Sequence, residues 1–295
     1  MPFLGELSAL GAASLWAVTS MIFAKVTVKI GSVQANIARM MVATLLFAIS
    51  VVLFRLPINL SFTQIQYLFV SAMLGLVFGD TYLFKGFQTI GARLSMLIMS
   101  LSPAIAAFLA YLFLGETLSI WGIFGIFLTL CGVALVVFDR TGPVPALPLN
   151  RIGILYALMG AFGQGAGLIF AKLAFTEGPI HGMVASAIRI ASAVLVLLPL
   201  SLLRRRTQNP LTVLRQDRTI FLCLLTASVF GTYLGITLSL VAVAYAKVGI
   251  ASTLIATSPV LMLPIVRLAY HDRLSWKAVA GAFLAITGVA ILFLT

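Results

Sequence analysis

Residues 115–138 read GETLSIWGIFGIFLTLCGVALVVF, and residues 271–294 read HDRLSWKAVAGAFLAITGVAILFL. Aligned without a gap, they share Leu118/Leu274, Ser119/Ser275, Gly125/Gly281, Phe127/Phe283, Leu128/Leu284, Gly132/Gly288, Val133/Val289 and Ala134/Ala290. Both copies are apolar enough to sit in lipid. A membrane chain built from two related halves is most often a transporter, because alternating access arises readily when one half rocks against the other.

The rest of the chain agrees with a bilayer as solvent. Its 295 residues are 62% hydrophobic and 9% charged, against about 25% charged in an average soluble domain. A soluble core could not hide that much apolar surface. The net charge of +12 reads as Lys and Arg at helix ends facing headgroups, not as a nucleic-acid surface. Cys131 and Cys223 lie inside apolar runs and read as small core residues. The N-terminus lacks a basic leader, so the first apolar segment reads as a retained helix. There is no HExxH, no phosphate-binding loop and no Ser/His/Asp set. The expectation is a non-enzyme without cofactor or metal.

A spanning helix needs about 20 mostly apolar residues. Runs between charges and turn residues predict ten: 4–24, 33–54, 64–84, 94–114, 119–138, 152–173, 181–203, 219–245, 249–270 and 275–294. The fold expected is an all-α polytopic membrane protein of ten transmembrane helices in two inverted five-helix repeats. Residues 1–140 form the first repeat, 141–150 a linker with Pro143, Pro145 and Pro148 around it, and 151–295 the second. Earlier segments correspond too: Phe23-Ala24-Lys25 with Phe170-Ala171-Lys172, Arg39 with Arg189, Val77-Phe78-Gly79 with Val229-Phe230-Gly231, and Leu101-Ser102-Pro103 with Thr257-Ser258-Pro259. Five crossings per unit turn the second unit upside down relative to the first. Lys and Arg cluster in the odd-numbered connections, which by the positive-inside rule puts both termini outside.

Transport needs a midplane cavity, groups that grip substrate, and helices that bend. Pro103 and Pro259 fall near the centres of their predicted helices, where proline would free the Met99 and Ile255 carbonyls. Helix 5 and helix 10 carry Gly122, Gly125, Gly132, Gly281 and Gly288, which read as close packing within the fold or in a dimer. Helix 6 carries Gly160, Gly163, Gly165 and Gly167 beside Gln164. The repeat pairs Trp16 with Gly163, a bulky residue against none, which would make one asymmetric site. Asp80 is the acid well inside a predicted helix. It reads as a proton carrier or substrate-amine anchor, or as a structural partner of Arg39, Lys85 or Arg93. Arg39 and Arg189 read as structural or as carboxylate ligands. Tyr82 and Tyr233 are expected cavity walls with Ser258. His181 and His271 sit at predicted helix ends and take no site.

Together these residues resemble the EamA-type branch of the drug/metabolite transporter superfamily. The resemblance rests on Trp16, Lys25, Arg39, Leu101-Ser102-Pro103, and Leu114-Gly115-Glu116-Thr117-Leu118-Ser119 followed by Gly125 and Gly132-Val133. The second repeat keeps Ser258-Pro259, Leu274-Ser275, Gly281 and Gly288-Val289, and departs at His271-Asp272-Arg273. The resemblance implies a secondary transporter in the inner membrane, as a monomer or homodimer among lipids, commonly an exporter of amino acids, other metabolites or toxic compounds, with a metabolite importer of the same fold as the alternative. In size and layout it is most similar to the bacterial aromatic amino-acid exporters. Family members generally keep both termini in the cytoplasm, against the charge count here. Small multidrug relatives depend on an acid in the first helix; Ser14, Trp16 and Ser20 stand there at mid-depth, favouring a neutral or zwitterionic substrate.

Overall fold

The computed structural model describes residues 3–138, 150–203, 217–261 and 275–294. The linker prolines, Arg93's side chain, Arg204–Arg206 with Arg215, and His271 to Arg273 lie outside the described residues. The described chain is helical, with no strand. Six stretches are long and apolar enough to cross a bilayer: Leu4–Ile30, Ser32–Leu53, Phe62–Gly91, Arg151–Thr176, Gly182–Leu200 and Arg218–Tyr245. Four apolar helices among the described residues are shorter: Ser102–Leu114, Ile120–Leu135, Val248–Leu261 and Val279–Leu292. Each half thus runs three long helices and then two short ones, so the duplication read in the final segments extends to the architecture.

The elements are α1 (Leu4–Ile30), α2 (Ser32–Leu53), α3 (Phe62–Ala72), π1 (Met73–Gly79), α4 (Asp80–Met99), α5 (Ser102–Leu114) and α6 (Ile120–Phe138), then α7 (Arg151–Thr176), α8 (Gly182–Leu203), α9 (Arg218–Ala227), π2 (Ser228–Leu234), α10 (Gly235–Tyr245), α11 (Val248–Ile255) and α12 (Trp276–Leu294). Polar residues set the starts. Ser61 and Gln64 close a reciprocal capping box on α3, and Asn150 and Asp217 cap α7 and α9. The third long helix runs beyond its predicted end to Gly91, whose φ of 80° breaks α4 into two arms. Within that helix and its repeat counterpart, α9 to α10, one turn each widens to π-helix, at π1 and π2. Each wide turn contains the repeated Val-Phe-Gly.

The prolines are the clearest correction. Neither bends the middle of a continuous helix. Two turn residues, 100–101, separate α4 from α5, and Pro103 sits in the first turn of α5. Likewise 256–257 interrupt the chain before helix resumes at Ser258. Leu101 N–H donates to Ile98 at 3.1 Å and Thr257 N–H to Leu254 at 3.2 Å, the same tightened turn in both repeats. A first-turn proline lacks an N–H that would be orphaned anyway. The Ile255 carbonyl is not free either; the Ser258 hydroxyl donates to it at 2.8 Å.

The repeats interlock. α1 lies antiparallel along α9–π2–α10 of the other half: Gly5 meets Ala246, Gly11 meets Leu238, and Thr19 meets Gly231. α7 returns the arrangement along α3–π1–α4, with Gly153 at Ile90, Gly163 at Gly79 and Gly167 at Gly75. The two copies of the doubled segment pack on each other. A Cβ on Gly125 would meet the Gly288 carbonyl at 3.1 Å, and one on Gly132 the Gly281 carbonyl at 2.5 Å. Contact positions rise along α6 as they fall along α12, so these equivalent helices run antiparallel. Lipid-like faces remain outside: Phe108, Trp121, Leu195 and Phe283 are exposed.

Two further ties join the halves. The Glu116 carboxylate accepts from the Val248 N–H at 2.9 Å, and Lys247 donates to the Thr117 carbonyl at 2.9 Å. Lys172 donates to the Val243 and Ala246 carbonyls at 2.9 and 3.1 Å, closing the last turn of α10. Cys131 and Cys223 are free thiols.

Candidate functional site

Between the repeats lies a cavity of about 140 Å³. α1 contributes Trp16, Thr19 and Ser20, and the α4–α5 break contributes Met99, Ser100 and Pro103. From the second half come Gln164 and Leu168 of α7, Arg189 of α8, and Ile255, Ser258 and Pro259 at the matching break. Seven of the ten residues singled out in the sequence therefore line one space: Trp16, Asp80, Met99, Pro103, Gln164, Ser258 and Pro259.

The other three do not line it. Gly163 faces the π1 backbone, where a Cβ would meet Gly79 Cα at 2.7 Å and the Leu74 carbonyl at 2.6 Å. Its missing side chain admits a neighbouring backbone, not a ligand. Tyr82 is occupied by Phe78 and Tyr156, with the Lys85 ammonium 4.6 Å from its ring centre. Tyr233 packs at a tilt against Phe47, ring centres 4.7 Å apart, and shares a 2.6 Å hydrogen bond with Ser50. The expected pairing of Trp16 with an open Gly163 is therefore replaced. The Trp16 indole donates to the Gly231 carbonyl, within π2, at 2.7 Å.

Asp80 is 5% exposed and forms an ion pair with Arg39. The second carboxylate oxygen accepts from the Gln164 amide, whose nitrogen also reaches the Gly75 carbonyl at 3.4 Å. Of the partners expected for Asp80, Lys85 turns instead to Tyr82 and Tyr156. Arg39 is held on every side. Asn36 Oδ1 accepts from its Nε at 3.0 Å and its Nη2 at 2.8 Å, Nη1 reaches Thr232 at 3.5 Å, and Phe84 lies 4.8 Å from the guanidinium carbon. Asn36 is itself anchored to the Leu76 carbonyl and Thr81 hydroxyl at 3.1 Å.

Sequence reasoning favoured a structural role for Arg39 and Arg189 over carboxylate binding, and passed over Asn36. A usable signal existed, because Asn36 is an amide in an apolar helix one turn before a repeated arginine. The arrangement offers hydroxyls, an indole, a charged triad and an apolar floor of Leu168, Ile236 and Phe84. Such a cavity can bind a small amphiphilic molecule.

The sequence matches the EamA-like transporter family over residues 3–138 and again over 151–294, one match per repeat. A crystal structure superposes with a TM-score of 0.76, covering 97% of this chain and 95% of the other at 15% identity. At that identity the likeness concerns the fold alone. No curated protein matches the sequence.

Proposed function

The chain belongs to the EamA-like transporter family, and from that premise we propose that it exports amino acids or similar small metabolites by alternating access. All ten apolar helices cross the inner membrane in this reading, as two inverted five-helix repeats, residues 1–140 and 151–295, with both termini in the cytoplasm. The observation that carries it is the cavity at two matching helix breaks, 100–101 and 256–257. Breaks at equivalent depth let the outer arms of each repeat swing while the interlocked α1 and α7 hold the centre. Trp16 supplies a stacking surface for an apolar or aromatic side chain. Asp80 is the candidate proton carrier. The antiparallel packing of α6 on α12 supports the inverted arrangement.

Reconstitution into liposomes with a panel of labelled amino acids tests the reading. Saturable flux of at least one is the expected result. Flux of cationic dyes with none of any amino acid would make the chain a multidrug exporter instead. An Asn209→Cys variant labelled by an impermeant thiol reagent on intact cells reports orientation; reaction there would place the connection outside.

A further inference from the structure

The duplication extends to the charged cluster, and the two copies are not equal. In the register that pairs Arg39 with Arg189, Asn36 falls on Ser186. In the register that pairs Gly79 with Gly231, Asp80 falls on Thr232. The first repeat therefore holds amide, guanidinium and carboxylate, and the second holds hydroxyl, guanidinium and hydroxyl.

Both hydroxyls are engaged elsewhere. Ser186 donates to the Gly182 carbonyl at 2.8 Å, and Thr232 accepts from Arg39. The Asp80 oxygens accept from Arg39 and Gln164, and no hydrogen bond joins Asp80 to Arg189 among the described residues. Arg189 is 2% exposed, lines the cavity, and its Nε has no hydrogen-bond partner among the described residues. Of the described acids Glu6, Asp80, Glu116, Glu177 and Asp217, only Asp80 lines that space. Two guanidiniums face at most one carboxylate, so the described lining carries at least one excess positive charge.

An unpaired buried charge is costly, and a cation left so against a cavity favours an anion in it. A guanidinium is a planar fork that matches a carboxylate through two parallel N–H bonds. We propose that Arg189 is the anion-binding residue of the central cavity and that it takes the carboxylate of the transported molecule. Arg39 is excluded from this role because Asp80 and Asn36 already satisfy it. The apolar remainder of the ligand lies against Leu168, Ile236 and Trp16. The inference rests on the transporter reading but not on the amino-acid reading.

Thermal unfolding of the purified full chain, titrated with benzoate or its neutral counterpart benzamide at constant ionic strength, tests it. Benzoate is expected to raise Tm saturably by roughly 3 °C or more near tenfold excess over Kd, with benzamide giving no such rise. Arg189→Gln should abolish the benzoate effect. Arg189→Lys, which keeps charge without the fork, should weaken benzoate about tenfold, and carries the test should the Gln variant not fold. Equal responses to benzoate and benzamide in the unaltered protein overturn the proposal, as does a benzoate response that survives both substitutions at full strength. Liposome flux of L-phenylalanine and phenylalaninamide separates the two readings. Amino-acid flux without benzoate preference leaves the exporter standing and removes Arg189 from this role. Benzoate preference without amino-acid flux does the reverse.

Discussion

Arg39 and Arg189 are counterparts in the two repeats and both line the central cavity, yet among the described residues only Arg39 forms an ion pair with an acid. Asp80, from the start of α4, pairs with Arg39 and leaves the buried Arg189 Nε without a hydrogen-bond partner among the described residues. The inequality comes from two side chains, Ser186 in place of an amide and Thr232 in place of a carboxylate.

Asp80→Asn should lower stability sharply, because removing one partner of a buried ion pair costs about 3–5 kcal/mol. Adding Arg39→Gln should recover part of the loss, and the double-mutant cycle measures the coupling. In liposomes Asp80→Asn is expected to abolish pH-driven exchange and retain passive exchange. An unaltered pH dependence would remove Asp80 from proton transfer.

Pro103→Ala and Pro259→Ala should fold normally. Each proline follows a helix break, so the gain or loss on substitution is expected to stay within about 1 kcal/mol. Transport rate should fall, since alanine lets helix propagate across 100–101 or 256–257. Initial rates of uptake, compared with unfolding temperature, distinguish a gating defect from a folding one.

Gly132→Ala and Gly288→Ala test the α6–α12 contact. A Cβ on Gly288 would meet Thr129 N at 2.6 Å, and one on Gly132 would meet Ala285 Cα at 2.8 Å. Backbone cannot yield as a side-chain tip can, so each change should cost about 1–3 kcal/mol. Gly11→Ala meets only the Leu238 Cδ1 at 3.2 Å and should cost distinctly less. Thermal unfolding in one detergent ranks all three.

Trp16 should report ligand binding alone among the tryptophans. Trp121 and Trp276 are 64% and 75% exposed on the outer faces, while Trp16 lines the cavity. In a Trp121→Phe/Trp276→Phe variant, substrate should still change fluorescence. If the signal instead disappears with Trp121 or Trp276, the ligand sits outside this cavity.

Much of the fold was legible because the bilayer imposes simple demands on sequence. Apolar runs of sufficient length must be helices, since lipid cannot satisfy a bare backbone. The doubled segment therefore revealed two repeats; its register placed Pro103 against Pro259, and it helped order the looser pairing of Arg39 with Arg189, whose spacing is six residues shorter. Length alone could not reveal the turns at 100–101 and 256–257, because proline reads alike in a kink and in a first turn. The wide turns π1 and π2 likewise leave no compositional trace beyond a repeated Val-Phe-Gly.

The site divides along the same line. Trp16, Asp80, Gln164 and both prolines were identifiable as bulky, charged or helix-breaking residues in apolar surroundings. Gly163, Tyr82 and Tyr233 had the same credentials, but each is consumed by a neighbour that only packing supplies. By itself the sequence determined the solvent, the duplication and the short roll of expensive polar residues. Tertiary structure alone decided which of them satisfy one another, because Asp80 meets Arg39 across 41 positions and Gln164 across 84. Partner choice between buried charges depends on distances of a few ångströms, and a linear register carries no distances.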